Sequence, residues 1–240
     1  MHRDVRPRRA AGDRAPVPVR TPAASPVQHS RTLIKVCGLT RLEDARAALD
    51  AGADWLGFIV HGDSPRRITP ERAAEITAAL PGATAVAVMV AVAPAEALDL
   101  ARRAGAQRVQ IHRAPPGWPA EFPLPAAIVV PVTHDGRLMM AAPASRHLLM
   151  LDTADAGRAG GTGRTFPWEG AVAVARERAV LLAGGLGPEN VAAAIACVRP
   201  FGVDASSQLE SAPGIKDHAR VRDFIAAVRE IDRREREPRA

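Results

Sequence analysis

The 240-residue chain contains no tyrosine, and five phenylalanines and three tryptophans bring its aromatic content to only 3%. A platform for stacking nucleobases is therefore missing, and with it the usual companion of arginines that bind single strands. Cysteine is scarce as well. Cys37 and Cys197 are the only two. They offer no disulfide framework, so a reducing, cytoplasmic compartment is the default. No apolar run reaches the ~18 residues of a membrane span. The first thirty residues lack the apolar stretch of a secretory signal. Seven histidines are present, none with His-x-x-x-His or Cys/His ligand spacing, so no metal site is expected.

The positive charge is local. Seven arginines against two aspartates place +5 of the formal +6 within residues 1–31, leaving +1 for the remainder. Together with Pro7, Pro16, Pro18, Pro22 and Pro26, that charge marks residues 1–31 as a disordered basic tail rather than a nucleic-acid-binding face. Residues 236–240 form a second, short tail. Residues 32–235 are long enough for one sizeable core, and the chain is 47% hydrophobic. An α/β barrel of about 250 residues is ordinarily one domain.

From Thr32 onward, short runs rich in Val, Ile and Leu lie near 32–37, 54–60, 84–91, 107–112, 127–132, 147–152, 179–183 and 201–205. They lack polar alternation, as strands covered on both faces do. Helical patterns fill most gaps. Thr40 is placed to cap a helix over 41–51, with Glu43 at the capping-box position and Gly52 as its stop. Pro70, Pro94 and Pro188 suit first helical turns. Five prolines in 114–125 predict a short or broken fourth helix, and 134–146 is also weak as a helix. A last helix over about 217–234 would cover the outside. Eight strands with intervening helices predict a (β/α)8 TIM barrel, with an open, doubly wound eight-stranded sheet as the alternative.

Two strand ends carry single acid/base groups. The run ending Lys35-Val36-Cys37-Gly38 stops at a thiol, and Leu149-Met150-Leu151-Asp152 stops at a carboxylate. Held at one end of a parallel barrel, they would make a general base and a general acid. Lys35 shares a face with Cys37, and a buried ammonium needs an anion; Asp204, ending strand eight, is the natural candidate. A neighbouring cation also favours the thiolate. After strand seven, Gly184-Gly185 precede a helix, and Ser206-Ser207 supply the matching loop after strand eight, the pair of loops that often binds phosphate in such barrels. The glycine-rich loop 155–165 lacks Walker spacing and reads as an active-site lid. Arg66, in the loop after strand two, could take a substrate carboxylate bidentately. Cys197 sits at helical spacing among apolar neighbours and reads as core.

These residues fall in motifs: Lys35-Val36-Cys37-Gly38-Leu39-Thr40, Ala51-Gly52-Ala53-Asp54, Leu56-Gly57-Phe58 and Ser64-Pro65-Arg66. Gly160-Gly161-Thr162-Gly163-Arg164-Thr165-Phe166, Ala183-Gly184-Gly185-Leu186, and Val203-Asp204-Ala205-Ser206-Ser207 through Glu210-Ser211-Ala212-Pro213-Gly214 continue the series. On these, from about Ile34 to Val228, the chain resembles the phosphoribosylanthranilate isomerase family of tryptophan biosynthesis. The resemblance implies a (β/α)8 barrel and an Amadori rearrangement of N-(5-phosphoribosyl)anthranilate. It also implies Asp152 as acid, Cys37 as base, Arg66 as carboxylate clamp, and Gly184, Gly185, Ser206 and Ser207 as phosphate site, supported by Lys35 and Asp204. No cofactor or metal is implied, and the partners are a small phosphorylated substrate and, at most, a second copy of the chain: a monomer or homodimer.

The chain departs from the family pattern at Val60-His61-Gly62-Asp63, at Ala87 and Ala91 in strand three, at Arg113, at Val130 and at Gln208. If Gln208 keeps the left-handed backbone of the glycine it replaces, its Cβ costs about 1–2 kcal/mol. Two rival functions follow. A related sugar-phosphate isomerase of histidine biosynthesis wants a carboxylate where Cys37 stands. A non-catalytic phosphometabolite-binding barrel is suggested by Ala87, Ala91 and Gln208.

Overall fold

The computed structural model describes residues 31–140, 147–154 and 165–236. Eight parallel strands close into a barrel in chain order: β1 Leu33–Val36, β2 Trp55–Ile59, β3 Thr84–Val90, β4 Arg108–His112, β5 Ala126–Val132, β6 Leu148–Thr153, β7 Val180–Leu182 and β8 Gly202–Ala205. The closing pair sets Lys35 beside Asp204 in register. The open-sheet alternative is thereby excluded. The basic tail before Arg31, residues 237–240 and the glycine-rich stretch 155–164 lie outside the described residues.

Both faces of each strand are buried, which is why the sequence shows no polar alternation. On β3, Ala85, Ala87 and Met89 pack outward against the helices, while Val86 and Val88 join Cys37, Trp55, Val129, Met150 and Leu181 inside the barrel. On β1, Ile34 and Val36 face the helices, leaving Lys35 and Cys37 to point inward by the two-residue period. Ala87 and Val130 belong to the outer layer, so neither departure touches the barrel interior.

Helices follow six of the strands: α1 Leu42–Ala51, α2 Pro70–Ala78, α3 Pro94–Arg103, α4 Glu169–Glu177, α5 Val191–Val198 and α6 His218–Arg236. Thr69 accepts from the Arg72 amide and Pro70 opens α2, as the sequence suggests. Gly52 ends α1 with a φ of 106°. Two starts differ from expectation. Thr40 does not cap α1: its hydroxyl donates to the Gly214 carbonyl, 2.6 Å away, and Arg41 is the residue before the helix. Pro188 lies in a turn ahead of α5, because the Asn190 side chain turns back to the Gly187 amide and the Gly185 carbonyl. The proline-rich 113–125 forms no helix, nor do the described residues of the β5–β6 connection. No described helix is long and apolar enough to cross a membrane.

After β8 a short 3₁₀ turn, Ser207–Leu209, leads into a two-stranded hairpin, β9 Glu210–Ala212 and β10 Ile215–Lys216. At the other end of the barrel Asp232 accepts from the Thr32 amide and hydroxyl. Asp54 takes both Arg31 and Arg229, binding α6 to the start of β1.

Candidate active site

Lys35 is fully buried, with its ammonium 2.7 Å from Asp204 Oδ1. Burial opposes its charge, but the attraction of Asp204 and Cys37 outweighs that and leaves the Lys35 pKa above its ordinary value. The volume for this arrangement comes from β2. A Cβ on Gly57 would stand 2.9 Å from Cys37 Sγ and 3.0 Å from Lys35 Nζ, so the glycine admits both side chains into one layer. Cys37 is therefore a buried thiol beside an ammonium. Lys35 and, more weakly, Lys216 pull its pKa down as the sequence suggests, yet burial prevails and the thiol ends above its usual range.

Asp152 is also buried. Across the barrel from β1, it makes no ion pair among the described residues. Burial, reinforced by the negative charge of Asp204, raises its pKa to about 7. A carboxylic acid that holds its proton near neutrality is suited to donate it. Cys37 and Asp152 thus share one electrostatic neighbour, the Lys35–Asp204 pair. His112, ending β4, is pushed down to about 4 by burial and by Lys35 and is neutral at pH 7; its Nε2 lies 2.9 Å from Gln110 Nε2.

Gly184 and Gly185 both have positive φ, 86° and 65°. A Cβ on Gly184 would overlap the Thr153 hydroxyl at 2.2 Å and the Thr153 amide at 2.7 Å, so the β7 loop packs directly on the residue after Asp152. No carbonyl among the described residues accepts from the amides of Gly184, Gly185 or Ser206. Gln208 is not strained. It lies in the 3₁₀ turn without a positive φ, and its carbonyl accepts from Arg220 Nε at 2.6 Å. The left-handed non-glycine positions fall instead on Ala91, Arg113 and Arg199, each with φ 51°.

Arg66 is largely buried and Arg67 exposed. The Arg66 stem runs over β1: a Cβ on Gly38 would meet its Cδ at 2.7 Å and the Ser206 hydroxyl at 2.9 Å. Its guanidinium is not waiting alone. Nε and Nη2 donate to the Glu210 carboxylate at 2.7–3.0 Å, and Glu210 also accepts from Lys216 Nζ at 2.7 Å. Lys216 reaches on to the Ser206 carbonyl. Burial works against the Glu210 charge, but these two cations hold its carboxyl below the usual range. Glu210 and Lys216 carry no role in the sequence reading; Pro213-Gly214 between them was the signal for a tight hairpin.

The family model for N-(5'-phosphoribosyl)anthranilate isomerase matches residues 34–227. The chain belongs to this family. The N-(5'-phosphoribosyl)anthranilate isomerase of Geobacter sulfurreducens is 42% identical over 197 residues, covering 80% of this chain and 96% of that protein. The crystal structure of the Thermotoga maritima phosphoribosyl anthranilate isomerase superposes with a TM-score of 0.73 at 34% identity, covering 83% of this chain and 99% of that one. A further isomerase structure, in complex with reduced 1-(o-carboxyphenylamino)-1-deoxyribulose 5-phosphate, has a TM-score of 0.69 at 32% identity, with 83% of this chain and 99% of that one covered.

Proposed function

We propose that this chain converts N-(5'-phosphoribosyl)anthranilate to 1-(2-carboxyphenylamino)-1-deoxyribulose 5-phosphate, the isomerase step of tryptophan biosynthesis. Asp152 protonates the furanose ring oxygen, and the ring opens to an iminium. Cys37 removes the C2 proton, and the resulting enolamine tautomerises to the ketone. The substrate's own nitrogen is the electron sink. Arg66 takes the anthranilate carboxylate, while backbone amides near Gly184, Gly185, Ser206 and Ser207 take the phosphate. The observation that carries this reading is the pair of buried groups, Cys37 and Asp152, that both feel one ion pair, Lys35–Asp204. A base held beside an ammonium and an acid poised near neutrality fit a two-step proton transfer. The enzyme acts as a monomer or homodimer.

The test is rescue of a tryptophan auxotroph lacking this isomerase. Growth with the wild-type chain, and none with Cys37→Ala, is expected. Failure of well-expressed wild-type protein to rescue would favour the non-catalytic binding barrel. The histidine-pathway alternative lacks its carboxylate on β1, where Cys37 stands.

A further inference from the structure

The guanidinium of Arg66 has five N–H donors in a plane, and thus two forked edges. Glu210 occupies the edge formed by Nε and Nη2. Among the described residues nothing accepts from Nη1, so the end-on fork of Nη1 and Nη2 is open. Glu210 is itself held from behind. Lys216 bonds to it, the Lys216 amide donates to the fully buried Asp44, and the Arg41 guanidinium secures Asp44 at 2.7 Å. The same Lys216 ammonium reaches the Ser206 carbonyl at 3.1 Å, in the loop assigned to the phosphate.

We infer that Glu210 is a positioning residue for the substrate carboxylate. It grips one edge of Arg66, so that the guanidinium plane presents its other edge at a set angle, and Lys216 ties that grip to the phosphate loop. The inference rests on the reading of Arg66 as the carboxylate clamp. Charge explains why two residues are needed. Glu210 alone would neutralise Arg66 and repel an incoming carboxylate. With Lys216 the trio keeps a net charge of +1, and the fork stays attractive to an anion. The hairpin thus links the two anionic ends of the substrate through one side chain.

Geometry and charge predict opposite signs, which makes the proposal testable. Glu210→Gln raises the local charge from +1 to +2. Charge alone would tighten binding of a carboxylate; loss of the grip weakens it. The experiment is calorimetric titration of the full chain with two ligands. One is reduced 1-(o-carboxyphenylamino)-1-deoxyribulose 5-phosphate, and the other is the same compound without its carboxylate. In wild type the carboxylated ligand binds more tightly, by the about 10- to 100-fold that a charge-assisted hydrogen bond is worth. Glu210→Gln is expected to erase most of that ratio, with the affinity for the other ligand nearly the same. Glu210→Asp keeps the charge with one methylene fewer, and should retain an intermediate ratio. It carries the test if the Gln variant does not fold. Lys216→Met should also shrink the ratio, by taking the local charge to zero. An intact or increased ratio in Glu210→Gln overturns the proposal, and so does an equal loss for both ligands, which marks a purely structural role. Wild type that shows no preference for the carboxylated ligand removes the Arg66 reading itself, and this inference with it.

Discussion

On the side of the barrel built from β8, β1 and the loop after β2, buried ions come in pairs. Lys35 has Asp204, Arg66 and Lys216 share Glu210, and Asp44 takes Arg41 and the His218 ring. On the opposite side β6 presents Asp152 with no ion pair among the described residues and a pKa of about 7. No helix lies among the described residues of the connections from β4 to β5, where prolines crowd, and from β5 to β6. The paired side sets opposite charges against one another. The unpaired side leaves a carboxyl whose pKa burial raises to about 7. Environments that push neighbouring titratable groups apart are what divides acid from base within one site.

Removing the chemistry on either side has the largest effect. Cys37→Ala and Asp152→Asn should each lower kcat by the ~10²–10⁴-fold typical of lost acid/base catalysis. Circular dichroism should show both variants folded. The double mutant should fall short of the product of the two factors, because the groups act in sequence on one substrate. Near-normal turnover in either single variant would sink the assignment.

The pH profile sharpens the contrast. In the proposed mechanism the reactive form needs Asp152 protonated and Cys37 ionised. Below pH 7 that fraction grows with pH as the thiol ionises. Above about 7, the Asp152 value, each gain in thiolate is offset by a lost Asp152 proton, and the rate levels. It falls once pH passes the raised thiol value. The rising limb of kcat/KM near 7 is thus set by the acid, and in Asp152→Asn the rise should continue to higher pH. Stability should follow the same titration. A carboxyl whose folded pKa is raised contributes stability fully present below its unfolded value near ~4, and loses it as pH climbs through about 7. Melting temperatures of Asp152→Asn should therefore gain on wild type between pH 5 and pH 8. Glu210, held below its usual range, acts in reverse: its contribution is present above its unfolded value and lost as pH falls through the folded one.

Smaller effects test the paired side. Gly57→Ala puts a methyl where Cys37 and Lys35 stand, and overpacking of this kind costs about 1–3 kcal/mol, with activity lost through displacement of the thiol. A variant with full activity would show that the layer has room to spare. In the proposed carboxylate clamp, Arg66→Lys keeps the charge but loses the fork, so KM should rise, while the exposed Arg67→Lys should be nearly silent. The reverse result would move the clamp by one residue.

The smallest expected effect is on the proline-rich side. Arg113 stands in the left-handed region, and Arg113→Gly should raise stability by up to about 1 kcal/mol. Gln208→Gly should give no such gain, because its backbone is already relaxed. A thermal melt of each variant distinguishes them.

Strand positions, barrel class and the burial of Cys37, Asp152, Lys35 and Asp204 at the strand ends were legible in the chain. Doubly buried strands announce themselves as short apolar runs, and an ionisable residue ending such a run has few places to point but into the barrel. Motif spacing carried the rest. What local sequence could not decide, beyond the Lys35–Asp204 pair, was partnership. The side chain of Thr40 looks like a helix cap, yet a hairpin some 170 residues later supplies Gly214 and takes its hydroxyl. Gln208 looks strained beside its relatives' glycine, but the 3₁₀ turn removes the need for a positive φ. The strain sits at Ala91 and Arg113, where the chain leaves β3 and β4, and at Arg199, where it leaves α5. Tertiary structure alone brought Glu210 and Lys216 to Arg66, since 144 residues separate Arg66 from Glu210. It also reversed the expected balance at Cys37, where burial outweighs the neighbouring ammonium. Sequence determines which groups face inward, because backbone period is local. How strongly each is charged depends on desolvation and on partners from distant strands, and those exist only once the barrel has closed.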